Sequence, residues 1–395
     1  MFDNGINNEI KLYLGAIFSK IPSVLYSAVI TAFLLQSRLN MTQIGTVWSI
    51  ILFTSVVLDY LTGGFADRYG RLRLYLLGML CMGFARIAIA LGADYSSLIY
   101  LGAILLGAGE SQVNGTIFPW FVQANGSLGG NDKNYLTRVA AQSQYISNGA
   151  GILAGVLMSL LPLNYKNILL IAGIVQIIGG ILIYSLSEDN KNGQNKSFKA
   201  ISIGSLKFYK DAPILWVYTI ALTMVYSLYT IYLFIWQPIG ANFGFQNSKN
   251  GWIQSIYVAA MVASGLLIKY KRGNAYIVYI LSSIAAPIAL YIMTINKVKI
   301  VYIALVFIYG FSAGMLMPII MGSMHKYISN EARSSVVSLV SSISSLVLVF
   351  LQIIIGRIID KASYSNLFQV CFIIGAILLT SMLYIIGQLK RGLDG

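Results

Sequence analysis

Apolar residues run through the chain in stretches of about 20, separated by short polar breaks, as helices crossing some 30 Å of hydrocarbon require. The first six stretches fall at 12–35, 42–65, 74–92, 97–121, 138–161 and 167–186. A polar segment follows from Glu188 to Asp211, with Lys191, Lys196, Lys199, Lys207 and Lys210. Six more stretches then fall at 213–238, 250–269, 275–294, 300–322, 335–358 and 365–388. The pattern predicts an all-α polytopic membrane protein with twelve transmembrane helices. They divide into two pseudo-symmetric six-helix bundles, 1–187 and 213–395, joined by a cytoplasmic linker at 188–212.

Composition agrees with this solvent. Hydrophobic residues make up 57% of the 395 positions and charged ones 10%, far from the balance of a soluble domain. The formal charge of +14 does not point to nucleic acid, because the basic residues sit in breaks between apolar runs instead of on one soluble face. Placing both termini and the linker in the cytoplasm puts most of the 27 basic residues there, as the positive-inside rule demands. No small-residue cleavage site follows the first apolar run, so a removed signal peptide is not expected. Cys81 and Cys371 lie far apart in apolar runs, which suits packing and offers neither a disulfide framework nor a metal site. The tripeptide Asn40-Met41-Thr42 fits a glycosylation sequon, a pattern common by chance.

Between the second and third spans the chain reads Gly63-Gly64-Phe65-Ala66-Asp67-Arg68-Tyr69-Gly70-Arg71-Leu72-Arg73. Gly63 allows close helix contact, Gly70 a tight turn, and Asp67 can cap a helix. This loop resembles motif A of the major facilitator superfamily, G-x-x-x-D-R-x-G-R-x-R/K, with every principal position filled. The lead-in Asp59-Tyr60-Leu61-Thr62-Gly63, Trp236-Gln237-Pro238, and Glu331-Ala332-Arg333-Ser334-Ser335-Val336 resemble one branch of bacterial facilitators. Lys269-Tyr270-Lys271-Arg272-Gly273 stands where a second motif A would fall, without its aspartate. Two departures matter. The fourth-span arginine of proton antiporters has no counterpart in Leu98-Ile99-Tyr100-Leu101-Gly102, and the fifth-span antiporter motif is only echoed by Gly149-Ala150-Gly151-Ile152-Leu153-Ala154-Gly155.

The resemblance implies a multi-pass protein of the bacterial inner membrane, both termini cytoplasmic, transporting by alternating access. Asp67, Arg68 and Arg71, with Gly63 and Gly70, would form the gating latch. Leaning on that branch, the expected activity is proton-coupled efflux of a small amphipathic molecule. Uptake of a sugar or other nutrient is the alternative, and a non-transporting membrane sensor a third reading. No G-x-x-x-x-G-K-[ST] loop points to ATP. No nucleophile, base and oxyanion set points to an enzyme, and no cofactor is implied. The expected partners are the substrate, protons or another coupling ion, and the bilayer, with a monomer sufficient.

Charges at bilayer depth mark the candidate site, since each costs about 2.5–3.5 kcal/mol at a helix centre on insertion scales. Lys20, beside Pro22, and Glu110 lie at similar predicted depth, about 10 Å from the cytoplasmic face. They could pair across the first and fourth spans, either as a coupling device or as a structural ion pair. A carboxylate balanced between burial and a nearby cation can load and release a proton near neutral pH. Arg86, in the outer half of the third span, has no evident acidic partner and could meet lipid headgroups, backbone carbonyls or an anionic substrate. Asn114 shares a helix face with Glu110, as Asn148 does with Gln144. These amides and Gln237 could line a cavity or bond between helices. Tyr226 and Tyr229 lie far enough inside the seventh span to offer aromatic walls.

Overall fold

A computed structural model describes residues 2–62, 69–113, 115–125, 133–187, 212–270, 275–328 and 333–391. Its described regular structure is helical: α1 (Phe2–Gln36), α2 (Met41–Thr62), α3 (Arg71–Leu91), α4 (Ser96–Val113), α5 (Ile117–Ala124), α6 (Lys133–Leu160), α7 (Tyr165–Leu186), α8 (Ile214–Ala241), α9 (Asn250–Tyr270), α10 (Ala275–Ile295), α11 (Lys299–Met324), α12 (Arg333–Ala362) and α13 (Leu367–Arg391). Ten described stretches are long and apolar enough to cross a bilayer. The helices α4, which carries Glu110 and Gln112, and α6, which carries Gln144 and Asn148, are not among them.

The predicted fourth span, 97–121, is corrected to two helices. α4 stops at Val113 and α5 starts at Ile117. Gly115 takes φ 76° between them, a left-handed conformation that interrupts helical propagation and that glycine adopts without a Cβ penalty. Thr116 Oγ1 donates to Val113 O at 2.8 Å, occupying a carbonyl near the break. The eight residues of α5 press Trp120 and Phe121 against Leu12, Leu72 and Val139.

The exposed surface explains why water is the wrong solvent. On α7, Ile174, Ile178 and Ile181 are all exposed, one helix face at spacings of four and three. Leu153, Leu157 and Leu160 repeat that pattern on α6. Apolar stripes of this length mark contact with lipid or a partner, and the hydropathy of the chain makes lipid the partner.

Contacts divide the chain into two units. Unit 1 contains Met1–Arg38, Ile50–Ser197 and Asn247–Ser255, and unit 2 contains Leu39–Ser49, Phe198–Gln246 and Ile256–Gly395. Two helices are thus shared: the start of α2 packs in unit 2, and the start of α9 in unit 1.

Within unit 1, small residues allow helices to meet backbone to backbone. A Cβ on Gly83 of α3 would fall 2.9 Å from Gly173 O of α7, and a Cβ on Gly155 of α6 would fall 2.9 Å from Gly251 O of α9. Such contact replaces the hydrophobic drive that lipid removes. Ser255 Oγ adds a bond to Ile152 O at 3.0 Å, and Gln254 Nε2 one to Ser27 Oγ at 3.0 Å.

Within unit 2, the start of α2 lies against α12, where Ser49 Oγ donates to Val349 O at 2.6 Å. The free amides that open a helix need acceptors, and here Asn40, just before α2, and α12 supply them. Asn40 Oδ1 accepts from Gln43 N at 2.8 Å while Gln43 Oε1 accepts from Asn40 N at 2.9 Å, a reciprocal capping pair. Asp360, from the end of α12, accepts from Met41 N at 2.9 Å and Thr42 N at 2.8 Å, and from Thr42 Oγ1 at 2.6 Å. Asn40, the first residue of the sequon, is therefore engaged as a helix cap.

Candidate transport site

Arg86 stands on α3 with 1% of its surface exposed, and its surroundings come from three helices of unit 1. Nη1 donates to Gln176 Oε1 on α7, and Nη2 to Ser23 Oγ on α1 at 3.4 Å. The guanidinium carbon lies 5.5 Å from the centre of the Tyr26 ring, within cation–π range. Gln176 in turn donates to Met79 Sδ. A buried cation is tolerable when its protons find acceptors and its charge finds an opposite, and the opposite here is Glu110 on α4. The two interact electrostatically without a hydrogen bond between them, and Tyr26 shares the same field.

That geometry corrects two expectations. Glu110 is near enough to Arg86 to feel its charge, though the two form no close ion pair, and it forms none with Lys20 among the described residues. Equal depth along neighbouring helices did not imply equal facing. Lys20 lies along α6, its Cγ 3.3 Å and its Cε 3.5 Å from where a Cβ on Gly151 would stand. Among the described residues neither Lys20 nor Glu110 makes a hydrogen bond or a close ion pair, and both remain partly exposed. On α6, Gln144 is exposed and Asn148 half-buried.

Unit 2 builds its interior differently. Tyr232 on α8 stacks with Tyr257 of α9 at 4.9 Å between ring centres, with Tyr309 of α11 at 4.8 Å and with Trp236 at 5.8 Å. Tyr229 closes one side, 6.5 Å from Tyr232 and 6.4 Å from Tyr257, and remains partly exposed like Tyr226. Gln237 is buried at 1% exposure. Tyr232 Oη and Trp236 Nε1 are buried without a hydrogen-bond partner among the described residues.

Asn114, Gly63, Asp67 and Arg68 lie outside the described residues. Of the motif A positions that are described, Gly70 takes φ 100° immediately before α3, and Arg71 is half-buried at the first position of that helix.

The Major Facilitator Superfamily profile matches residues 12–348, most of the 395-residue chain. The chain belongs to the major facilitator superfamily. It is therefore a multi-pass secondary transporter and not an enzyme. Solved structures agree on the superfamily fold. A mutant of the nucleoside transporter NupG aligns with a TM-score of 0.79 at 13% identity, covering 96% of this chain and 99% of that one. The POT family transporter PepTSo aligns at 0.73 and 9% identity, covering 97% and 98%. A structure titled for substrate recognition in proton dependent oligopeptide transporters aligns at 0.67 and 13% identity, covering 96% and 100%. No curated protein matches the sequence.

Three features of this superfamily member escaped the sequence reading. Gln176 was legible as the one glutamine in the apolar run 167–186, a costly group that needs a partner inside lipid. Tyr26, Tyr257 and Tyr309 carried no such mark, because 26 tyrosines hide the few that converge. Asp360 lies at a predicted helix end, where an acid is ordinary.

Proposed function

We propose that this transporter is driven by protons taken up and released at Glu110, and that its substrate is a small amphipathic molecule. The observation that carries this reading is a carboxylate inside α4, partly exposed, with no hydrogen bond among the described residues and in the field of Arg86. Burial favours the protonated acid and a buried cation favours the carboxylate, so a modest local change moves the proton. Arg86, anchored by Gln176 and Ser23, is the fixed charge against which that proton exchanges. Tyr226 and Tyr229 offer aromatic faces to the apolar part of the substrate. Asp67, Arg68 and Arg71 act as the gating latch, as the resemblance of motif A implies. The protein works in a bacterial inner membrane with both termini in the cytoplasm.

Efflux by proton exchange is the direction that the resembled branch favours. A specific observation favours uptake instead: among the described residues, the interior of unit 1 carries two cations, Arg86 and Lys20, against one acid, Glu110. Protonating Glu110 raises that positive surplus and strengthens the hold on a negative substrate, the sign of coupling that co-transport needs.

The test is reconstitution of the full chain in liposomes with an imposed pH gradient, reading lumenal pH while drugs, sugars and organic anions are added. A compound should trigger proton flux in the wild type and none in Glu110→Gln. Equal flux in both proteins would remove Glu110 from the coupling step.

A further inference from the structure

We infer that Lys20 is the site that receives an anionic group, a carboxylate or a phosphate, on the transported molecule. This deepens the carrier reading above and rests on it. The argument begins with charge. An ammonium carries three donor protons and no acceptor, and inside a bilayer it is retained only where something compensates it. Arg86 finds acceptors in Gln176 and Ser23, the face of Tyr26 and the field of Glu110, with only its Nε buried without a partner among the described residues. Lys20 has no hydrogen bond or close ion pair among the described residues, although it stands twelve residues into the span Asn8–Gln36, about 18 Å along the helix axis.

Shape supports the same assignment. The lysine stem lies over Gly151, where any side chain would meet it at 3.3–3.5 Å, so the missing Cβ clears the path of the stem. Apolar packing accommodates the methylenes and leaves the ammonium to find its partner, as long cationic side chains do when an apolar wall runs beside them. The side chain is partly exposed, so an incoming group can reach it. One negative charge there would balance the surplus of the unit 1 interior when Glu110 is ionised. While Lys20 carries its proton, a neutral substrate would leave that surplus unanswered whether Glu110 is ionised or protonated.

The probes are phenylacetate and phenyl phosphate, set against neutral phenylacetamide, and the readout is ligand-dependent thermal stabilisation of the purified full-length protein in detergent. Both anions should bind, the amide should bind at least about tenfold more weakly, and Lys20→Gln should erase that difference, since a charge-assisted contact is worth about a tenfold factor or more. Lys20→Arg should keep the preference for anions, which separates loss of charge from loss of fold. Equal binding of amide and anions, an undiminished preference in Lys20→Gln, or no binding of either anion overturns the assignment. The proton-flux assay keeps the parent reading separate: a neutral compound that drives Glu110-dependent flux while anions fail sinks only the role of Lys20.

Discussion

Unit 1 keeps charged side chains at bilayer depth, while the described helices of unit 2 hold theirs at or near their ends, Arg357, Asp360 and Lys361 in the last two turns of α12 among them. Arg86, Glu110 and Lys20 all lie within helices of unit 1, whereas α8 and α10 contain no Asp, Glu, Lys or Arg at all. In α11 and α13 the only such residues stand at the helix ends. Unit 2 fills its interior with a stack of tyrosine and tryptophan, held by ring packing and by short hydroxyl bonds such as Thr223 Oγ1 to Ser344 Oγ at 2.9 Å. Unit 1 thus carries charge in its interior, while unit 2 offers shape and π faces. Substitutions should act through charge in the first and through packing in the second.

The comparison breaks most sharply at Arg86. Replacing it by leucine removes the cation and strands Gln176 Oε1 and the nearby carboxylate, and breaking a buried charged network from one side costs about 3–5 kcal/mol. A large fall in the unfolding temperature in detergent is expected, with a smaller one for Gln176→Leu, since that variant removes a single hydrogen-bonding partner. If Arg86→Leu melts like the wild type, the charged interior of unit 1 does not hold its helices together.

Tyr232→Ala is the counterpart in unit 2. It deletes the ring shared by Tyr229, Tyr257, Tyr309 and Trp236, and large aromatic truncations in packed cores cost about 3–5 kcal/mol. The size resembles that at Arg86, but its cause does not. The loss at Tyr232 should be insensitive to pH, while that at Arg86 should shrink where Glu110 is protonated. Thermal melts of both variants across pH would separate the two mechanisms.

The seam between α2 and α12 gives an intermediate effect. Asp360→Ala removes three acceptor contacts from the start of α2, and losing a helix cap costs about 0.5–2 kcal/mol. Asp360→Asn should cost less, because an amide oxygen can still accept while the charge facing the positive helix end is gone. Hydrogen exchange at Met41 and Thr42 would report the change directly: faster in the alanine variant, with the asparagine variant in between.

What the sequence made legible follows from the same division. Hydropathy alone exposes a span, because lipid imposes length and apolarity on every crossing helix. Lys20, Glu110 and Arg86 were conspicuous for the converse reason, a charge where charge is costly. Facing was not legible. Helical depth can be counted along a chain, but whether Glu110 turns towards Lys20 or Arg86 depends on the rotation of α4 against α1 and α3, which no single-helix pattern contains. The break at Gly115 and the cap from Asp360 were hidden likewise, one in a continuous apolar run and the other 318 residues from Thr42. The aromatic stack was the least visible, since nothing distinguishes its tyrosines from lipid-facing ones until three helices meet.

The smallest predicted effect is the most discriminating for unit 2. Tyr232 Oη is buried with no partner among the described residues, so removing it should cost none of the stability that a buried hydroxyl normally contributes through its bond. Tyr232→Phe keeps every ring contact and relieves an unsatisfied polar atom, so its stability should equal that of the wild type or exceed it by up to about 1 kcal/mol. Tyr302 is the internal control. Its hydroxyl donates to Trp236 O at 2.7 Å, and Tyr302→Phe should lose about 1 kcal/mol by the same reasoning. Melting both variants side by side decides the matter: a loss at Tyr232→Phe as large as at Tyr302→Phe would mean that this hydroxyl is bonded after all, and that a polar network, beyond the stacked rings, holds the interior of unit 2.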